Sequence, residues 1–402
     1  MASPERVNLD AVIFGGGVAG LWSLDLLTRA GLRVLLLEST ALGAGQTIAA
    51  QGIIHGGVKY TLDGVFSDSA KAIAAMPSLW RECLGQSRMP DLGRTTLRAD
   101  WCALWRTSDV RSQLGMIGAR AALQVRPVKL ERKDRPEPLI ECPGEVYRLD
   151  EPVIDPATLL ADLAERHGAR ILRYDPNAGI EFVTTSGTVT AIHLAHSGGG
   201  SNLDLRPAAV VLTAGEGNGQ LRQRVGLAAS TMQLRPLHMV LVRGDLPVLN
   251  GHCTDGAKTR VTITSAVDGS GRAVWQVGGQ IAEDGVAMEQ RVLVEHARSE
   301  LAAVLPRLPD AIEWSTYRVN RAEAALGGGK RPSDVFCERE GNVITAWPTK
   351  LALVPRLADR IAALVACPTG TPEWRPNVPP DWPRPVVALP PWEKDAKWIR
   401  DR

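Results

Sequence analysis

Three glycines near the start of the chain have the spacing of a phosphate-binding turn. Gly15, Gly17 and Gly20 form a G-x-G-x-x-G pattern directly after the apolar run 11–14. In such a turn the first glycine permits a tight bend, the second lets a pyrophosphate approach the backbone, and the third allows a helix to pack closely on a strand. The N–H groups at the start of that helix can then bind the phosphates. The spacing therefore predicts a dinucleotide site, the alternative being a structural turn without a ligand.

The elements that must hold this turn follow in the expected order. The run 11–14 has the character of a buried strand, and residues 21–27 show a helical pattern of leucines. A second apolar run, 32–37, ends at Glu38, where a carboxylate can accept hydrogen bonds from a ribose hydroxyl. This acid favours an unphosphorylated ribose, hence FAD or NAD rather than NADP, and the motif alone does not separate those two. The cofactor contacts predicted here are Gly15, Gly17, Val18, Ala19, Gly20, Glu38 and Ser39.

The composition is that of a globular protein without a strong charge. The chain has 402 residues, enough for two domains, and its net charge of +2 gives no reason to expect nucleic acid or an anionic membrane as a partner. No apolar leader or long apolar run occurs, so we expect a cytoplasmic protein without a signal peptide or membrane span. Six cysteines without C-x-x-C spacing predict reduced thiols, and the scattered histidines and cysteines predict no metal site.

Further segments along the chain combine glycine or proline with apolar runs. Residues 45–60 read GQTIAAQGIIHGGVKY, and such small residues predict backbone packed against a flat or charged group rather than a plain surface loop. Residues 151–157, EPVIDPA, precede an amphipathic helix at 158–166. Residues 208–218 predict a strand running into a glycine turn, and residues 341–351 predict a strand-to-helix turn.

Taken in this order, the segments resemble the FAD-dependent oxidoreductases of the D-amino-acid oxidase superfamily. Residues 51–60 are most similar to L-2-hydroxyglutarate oxidases and glycerol-3-phosphate dehydrogenases, which carry a similar Ile-His-Gly/Ala-Gly stretch beside the flavin. The resemblance covers most of the chain and implies FAD as cofactor. It departs from the family at 348–350, where Pro-Thr-Lys replaces the usual glycine-rich turn. The further flavin contacts that it implies are Gln46, Thr47, Gln51, Gly52, Ile53, Ala214, Gly215, Pro348, Thr349, Lys350 and Leu351.

The resemblance implies an α/β fold, in which a Rossmann-like FAD-binding domain carries an inserted, mostly antiparallel β-sheet substrate domain. β-rich runs at 239–243, 260–265 and 274–281, with a hairpin turn at 268–271, fit such an insertion. The predicted FAD-binding domain comprises 1–88, 150–228 and 331–367, the substrate domain 89–149 and 229–330, and a Pro/Trp-rich C-terminal arm 368–402. We expect the arm to pack on the body through its tryptophans or to form an oligomer contact.

Histidine is the residue type that a flavin-dependent alcohol oxidation needs. FAD accepts the hydride, but an alcohol must also lose its hydroxyl proton to a base, whereas a neutral amine needs no base. His55 is the first candidate, since its segment is expected beside the flavin; the alternative is a histidine that only hydrogen-bonds flavin or backbone. His238 is the second candidate, because it begins the strand that passes the flavin in the superfamily that this chain resembles, and His252 is the weakest candidate.

An acidic substrate would need a cation. Arg321 falls near the place where amino-acid and glycine oxidases carry a carboxylate-binding arginine, and a guanidinium suits that task. Strand alternation puts Arg318 on the opposite face, so only one of the two is expected to point inward. Lys59 and Lys350 are possible flavin neighbours, although each is more typical of a surface lysine.

The sequence therefore predicts an FAD-dependent oxidoreductase. Its expected substrate is a small, carboxylate-bearing 2-hydroxy acid or amino acid, with electrons passing to oxygen or another acceptor. Two other classes stay open: a flavin-binding subunit for assembly or electron relay in a larger complex, and an NAD-dependent dehydrogenase. A homo-oligomer or complex would form through the C-terminal arm.

Overall fold

Two β-sheets organise the chain. The computed structural model describes residues 5–57, 73–107, 127–177, 179–255, 258–326, 332–365, 373–394 and 396–400. Within these ranges no helix is long and apolar enough to cross a membrane.

The first sheet is built on parallel strands. Its members are β1 (Glu5–Phe14), β2 (Val34–Glu38), β8 (Ile171–Arg173), β9 (Ile180–Thr185), β10 (Thr188–Leu194), β11 (Leu203–Leu212), β17 (Phe336–Glu340) and β18 (Val343–Trp347). Strands β18, β11, β1, β2 and β8 lie side by side in that order and run parallel. Their carboxyl ends therefore meet at one edge, which is where nucleotides bind in open α/β sheets. Strand β17 and the β9–β10 hairpin extend the sheet in antiparallel fashion.

Helices cover one face of this sheet. They are α1 (Val18–Arg29), α2 (Met76–Leu84), α3 (Pro156–Glu165) and α7 (Val354–Leu364), while the short α4 (Asn218–Arg224) follows β11. The apolar side of α1 packs on α3 and α7, and the rings of Trp22 and Trp80 lie 4.8 Å apart between α1 and α2. Helix α3 begins at Pro156, two residues before the predicted start at 158, because Asp155 caps the N–H groups of Ala157 and Thr158.

The second sheet is mostly antiparallel. It contains β4 (Cys102–Trp105), β5 (Val128–Lys129), β6 (Val146–Leu149), β12 (Met232–Gly244), β13 (Gly251–Asp255), β14 (Lys258–Val267), β15 (Ala273–Gly278), β16 (Glu313–Ala324) and β19 (Ile399–Arg400), joined in the order β19-β16-β12-β15-β14-β13-β4-β6-β5. Only the β13–β4 pair is parallel among these described strands. A small separate pair joins β3 (Leu97–Ala99) to β7 (Val153–Ile154).

The two faces of the second sheet have different neighbours. One face packs on α6 (Gln290–Val304) through a core that includes Val240, Val242 and Trp275. Short helix α5 (Gln280–Asp284) connects β15 to this layer. The other face turns toward the segment 46–57, so this segment lies between the two sheets.

The C-terminal arm packs on both sheets through its tryptophans. Trp382 joins the core on the open face of the first sheet, and its Nε1 donates to the Arg173 carbonyl at 2.9 Å. Trp392 and Trp398 cover part of the second sheet, where the Arg243 guanidinium lies 3.8 Å from the Trp398 ring centroid. In its described part the arm thus contributes to two cores of the same chain.

The structure confirms the predicted fold class and corrects some element ends. Strand β1 begins at Glu5, earlier than predicted, because residues 5–9 pair with β11. The strand predicted over 274–281 ends at Gly278, since Gly279 has φ +82 and α5 begins at Gln280. The sequence also predicts a helix over 67–84; α2 covers its end, and residues 67–72 lie outside the described ranges.

Candidate functional site

The glycine turn after β1 has no room for side chains. A Cβ on Gly20 would lie 2.0 Å from the Gly15 carbonyl oxygen, and one on Gly15, where φ is +102, would lie 2.5 Å from the Ala214 Cα. Gly15 thus lets β1 turn beside the end of β11, and Gly20 lets α1 approach that turn. These are the tasks that the sequence predicts for the first and third glycines.

The start of α1 presents backbone N–H groups without an acidic cap. Its N-cap is Gly17, which has no side chain, and the first helical turn contains no acidic residue. Thr47 approaches from the following segment, where its Oγ1 accepts from the Val18 N–H at 3.2 Å. A helix N-terminus of this kind attracts phosphate through its free N–H groups and its dipole.

Glu38 is the last residue of β2 and lies beside the glycine turn. Its two carboxylate oxygens accept from the Gly16 N–H at 2.6 Å and from the Thr40 N–H at 2.8 Å. The carboxylate therefore lies directly beside the glycine turn. Oε1 also accepts from the Thr40 hydroxyl at 3.1 Å, whereas Oε2 keeps a second lone pair that can accept a hydrogen bond from a ribose hydroxyl. The residues present fit an adenine dinucleotide.

The neighbouring strands end beside the same turn. Asn218 ties them together: its amide donates to the carbonyls of Leu212 at 3.1 Å and Ala346 at 3.2 Å, and accepts from the Ala214 N–H at 2.7 Å. Gly215 follows with φ +58 and accepts from the Trp347 indole at 3.1 Å. Ala214 and Gly215 are thus brought to the carboxyl edge of the first sheet.

The turn after β18 corrects one expectation. Lys350 is buried rather than a surface lysine. Thr349 takes a φ of +58, and the Lys350 N–H donates to the Pro348 carbonyl at 2.7 Å, which folds the turn inward. Leu351 then starts the helical turn that leads into α7.

The segment 46–57 is held against the second sheet by hydrogen bonds. Gln46 accepts from the Ala322 N–H at 3.1 Å, and Gln51 donates to the Gln276 carbonyl at 2.9 Å. The Tyr317 hydroxyl donates to the Ala49 carbonyl at 3.0 Å and accepts from the Gln276 amide at 2.8 Å. Burial raises the pKa of Tyr317, so this phenol stays protonated and serves as a donor.

Backbone pairing carries this segment past residues 151–154. Ile54 N–H donates to the Pro152 carbonyl at 2.9 Å, and Ile154 N–H donates to the Gly52 carbonyl at 3.0 Å. Gly52 has φ +78, and a Cβ there would lie 2.0 Å from the Ile154 carbonyl oxygen. Ile53 forms a bridge to Val153. This pairing places His55 beside Glu151.

Three residues distant in sequence form a cluster at this point. His55 Nδ1 lies 3.2 Å from Glu151 Oε2, and His252 Nε2 lies 3.7 Å from the same oxygen. Glu151 Oε1 accepts from the Gly56 N–H at 2.7 Å. His252 Nδ1 lies 2.9 Å from the Thr262 hydroxyl. We name His55, Glu151 and His252 the His-Glu-His cluster.

The cluster has one accessible member. The side chain of His55 is 26% exposed, against 3% for Glu151 and 6% for His252. Burial disfavours ionisation of Glu151, but the charges and hydrogen bonds of His55 and His252 outweigh this and hold the pKa of Glu151 below its usual range. The cluster therefore contains a buried anion next to an imidazole that a small molecule can reach.

Sequence reasoning missed Glu151 and expected no metal site. The three side chains are also of metal-ligating type, with ligand atoms within 4.8 Å of one another. Nothing in the spacing indicates this, because 96 and 101 residues separate Glu151 from its two partners. The one available signal is an acid directly before Pro152 and the short apolar strand β7.

His238 has a different setting. Its Nδ1 lies 3.1 Å from the Gly285 carbonyl and its Nε2 lies 2.9 Å from the Thr316 hydroxyl, on the α6 side of the second sheet. Burial lowers the pKa of His238, which favours the neutral ring. The structure therefore brings His55 and His252 together with Glu151, and gives His238 a separate set of protein partners.

Strand alternation assigns Arg321 to one side of β16. It shares this side with Tyr317, while Arg318 donates to the Val286 and Met288 carbonyls at 2.7 and 3.0 Å on the other side. Arg321 is paired with Glu283 at 3.1 Å and stands opposite Arg235 in the strand register. Two guanidinium groups therefore face the same side of the sheet. Lys59 lies outside the described residues.

The comparisons with known proteins agree with this geometry. A family model described as DAO, FAD dependent oxidoreductase, matches residues 10–340. The probable FAD-dependent oxidoreductase PA4991 of Pseudomonas aeruginosa is 38% identical over 396 residues, which cover 97% of this chain and 99% of that protein. Its crystal structure, at 36% identity and with coverage of 97% and 99%, gives a TM-score of 0.80.

More distant solved structures share the fold. Glycine oxidase from Geobacillus kaustophilus has a TM-score of 0.61 at 16% identity, with coverage of 89% of this chain and 94% of that one. L-α-glycerophosphate oxidase from Mycoplasma pneumoniae, solved with FAD bound, has a TM-score of 0.59 at 14% identity, with coverage of 95% and 99%.

The glycine turn, the acid after β2 and the paired sheets define a dinucleotide-dependent oxidoreductase. The chain belongs to the DAO family of FAD-dependent oxidoreductases. FAD is therefore its cofactor, and the NAD-dependent alternative is set aside.

Proposed function

We propose that this oxidoreductase oxidises the hydroxyl-bearing carbon of a small 2-hydroxy acid, with His55 as the base. The observation that carries the proposal is the exposed imidazole of His55 beside the buried carboxylate of Glu151. Removal of a hydride from an alcohol requires removal of the hydroxyl proton, and an imidazole held by a carboxylate is suited to accept it. An amine substrate in its neutral form would leave this arrangement without a chemical role.

The chain's own residues can hold FAD on the first sheet. The start of α1 at Gly17 would bind the diphosphate, and Glu38 would bind a ribose hydroxyl. Segment 46–57 and the turn 348–351 would contact the remainder of the cofactor. When bound, FAD accepts the hydride from the substrate carbon, and its electrons then pass to oxygen or another acceptor.

Arg321 is proposed to bind the substrate carboxylate. Its side chain is 17% exposed and its partner Glu283 is 43% exposed, so this ion pair is a weak, solvent-screened one. A carboxylate bound in bidentate fashion can compete with such a partner. The names of related proteins include oxidases of both amino acids and glycerophosphate, and the cluster at His55 is our reason for preferring the alcohol.

An anaerobic spectroscopic experiment tests this function. Purified protein carrying FAD is mixed, without oxygen, with 2-hydroxy acids, with amino acids and with glycerol 3-phosphate, and the flavin absorption is followed. We expect the flavin bands to bleach with a 2-hydroxy acid. Bleaching with an amino acid alone would overturn the proposed substrate class, and no bleaching with any of them would favour an electron-relay role in a larger complex.

A further inference from the structure

We propose that Glu151 is the positioning residue of His55: its carboxylate keeps the proton of the neutral imidazole on Nδ1, so that the Nε2 lone pair is presented to the substrate hydroxyl. The inference rests on the proposed function, in which His55 is the base. Glu151 would act through His55 and would not touch the substrate, since its side chain is buried.

The two carboxylate oxygens of Glu151 have different hydrogen-bond partners. Oε1 accepts from the Gly56 N–H at 2.7 Å, a backbone group whose donor character cannot change. Oε2 lies 3.2 Å from His55 Nδ1. Because an ionised carboxylate has no proton to donate, the hydrogen in this second contact must be on Nδ1. The neutral ring then carries its lone pair on Nε2.

Of the titratable groups around Glu151 that are described, none supplies another negative charge that could orient the His55 ring. They come from two strands of the second sheet: His252 from β13, 3.7 Å from Oε2, and Cys102 from β4. Burial, together with the Glu151 charge, raises the pKa of the Cys102 thiol, so it stays uncharged. His252 is nearly buried and also meets the Thr262 hydroxyl, so His55 is the ring that a substrate can reach.

The proton balance of the step follows from this arrangement. As the hydride leaves the substrate carbon for FAD, the hydroxyl proton moves to Nε2 of His55 and the substrate becomes a carbonyl compound. His55 becomes an imidazolium, whose charge is compensated by the Glu151 carboxylate beside Nδ1. Glu151 accepts no proton itself, in the manner of the carboxylate in a catalytic triad.

The substitution Glu151→Gln makes the inference testable. The Gly56 N–H still needs an acceptor, so the glutamine carbonyl is expected to take the place of Oε1. Its NH₂ group would then face His55 Nδ1 and donate to it, which forces the ring proton onto Nε2. The variant would keep the shape of the site and present a donor where the substrate hydroxyl needs an acceptor.

The measurement is the ¹⁵N NMR spectrum of histidine-labelled protein with FAD bound and no substrate, at an alkaline pH where the rings are neutral. The His55→Gln variant assigns the signals of His55. We expect Nδ1 to be the protonated nitrogen in the wild type and Nε2 in Glu151→Gln. Asp162→Asn is the matched control, since it also changes a buried carboxylate to an amide, but on α3, and should leave the His55 signals unchanged.

Two NMR results would overturn the inference. One is a wild-type His55 with the proton on Nε2, which can be seen even if Glu151→Gln does not fold; the other is a His55 tautomer that Glu151→Gln leaves unchanged. Binding of one Zn²⁺ per chain, lost in Glu151→Gln, would also overturn it, because the His-Glu-His cluster would then be a metal site. The tautomer of His55 is measured without substrate. The anaerobic experiment can therefore disprove the proposed function without changing the NMR result for Glu151.

Discussion

At the scale of single residues, the geometry of the site depends on glycines, which have no side chain, and on the buried carboxylate of Glu151. Glycines were the easiest to predict: the roles of Gly15 and Gly20 followed from spacing alone, and the structure gives each a close backbone neighbour. Glu151 was unpredictable, because its partners His55 and His252 come from distant parts of the chain. A single carboxylate between two short strands has no local signature of such a role.

Gly52 should be indispensable to the pairing that brings Glu151 to His55. We expect Gly52→Ala to lower the free energy of unfolding by more than about 2 kcal/mol, since the left-handed backbone alone costs about 1–2 kcal/mol and the new methyl meets the Ile154 carbonyl. Urea unfolding measures this. Gly45→Ala, in the same part of the chain with open space around its Cβ, is the control; equal losses in both variants would contradict the account.

The buried carboxylate of Glu151 should make stability depend on pH. Its folded pKa is lowered, so its contribution is fully present above the usual glutamate value of about 4.5 and is lost as pH falls through the lower folded value. Below about pH 4, unfolding free energy should therefore fall more steeply in the wild type than in Glu151→Gln, by about 1.4 kcal/mol per pH unit. Urea unfolding from pH 3 to 6 measures the two slopes, and parallel slopes would count against an ionised Glu151.

Arg321 should affect substrate binding more than protein stability. We expect Arg321→Met to raise KM for the carboxylate substrate at least about tenfold, because a lost charged hydrogen bond costs about 1.5–3 kcal/mol. Arg318→Met is the matched control on the opposite side of β16, where the arginine binds two backbone carbonyls. Steady-state kinetics of the two variants test this expectation. An unchanged KM in Arg321→Met would show that Arg321 does not bind the substrate carboxylate.

At the scale of elements, sequence patterns predicted the presence of helices and strands more accurately than their first and last residues. The presence of helix α3 was predicted from its amphipathic pattern, but its start was not, because Asp155 and Pro156 begin the helix two residues earlier. The end of β15 was not, because the apolar pattern continues into α5 while the backbone turns at Gly279. The arm was predicted to pack through its tryptophans, but which sheets it would meet depends on contacts that no local pattern contains.

The arm should stabilise the first sheet through Trp382. We expect Trp382→Ala to lower the free energy of unfolding by about 3 kcal/mol, because a buried indole leaves a cavity. Trp382→Phe keeps most of the ring and loses the bond to the Arg173 carbonyl, so about 1 kcal/mol is expected. Chemical unfolding of both variants provides the comparison, and a negligible loss in Trp382→Ala would mean that the arm is dispensable.

At the scale of the whole molecule, the site that we propose draws its residues from both sheets. The first sheet supplies the turn at Gly15 and the acid Glu38, and the second supplies Arg321, Tyr317 and His252. Segment 46–57 connects them and carries His55 between the two. A dinucleotide site could be predicted from sequence because the nucleotide turn is local, and the family and FAD could be predicted because segments along most of the chain resemble that family. The cluster could not, because it exists only once both sheets and this segment are assembled.

The most direct test of the central claim is the anaerobic rate of flavin reduction by the 2-hydroxy acid that bleaches the wild type, compared with the rate in His55→Gln. Loss of a general base should slow this step about 10²–10⁴-fold. His238→Gln is the matched control, because His238 binds Gly285 and Thr316 instead, and it should reduce its flavin at the wild-type rate. A wild-type rate in His55→Gln with FAD still bound would contradict the account.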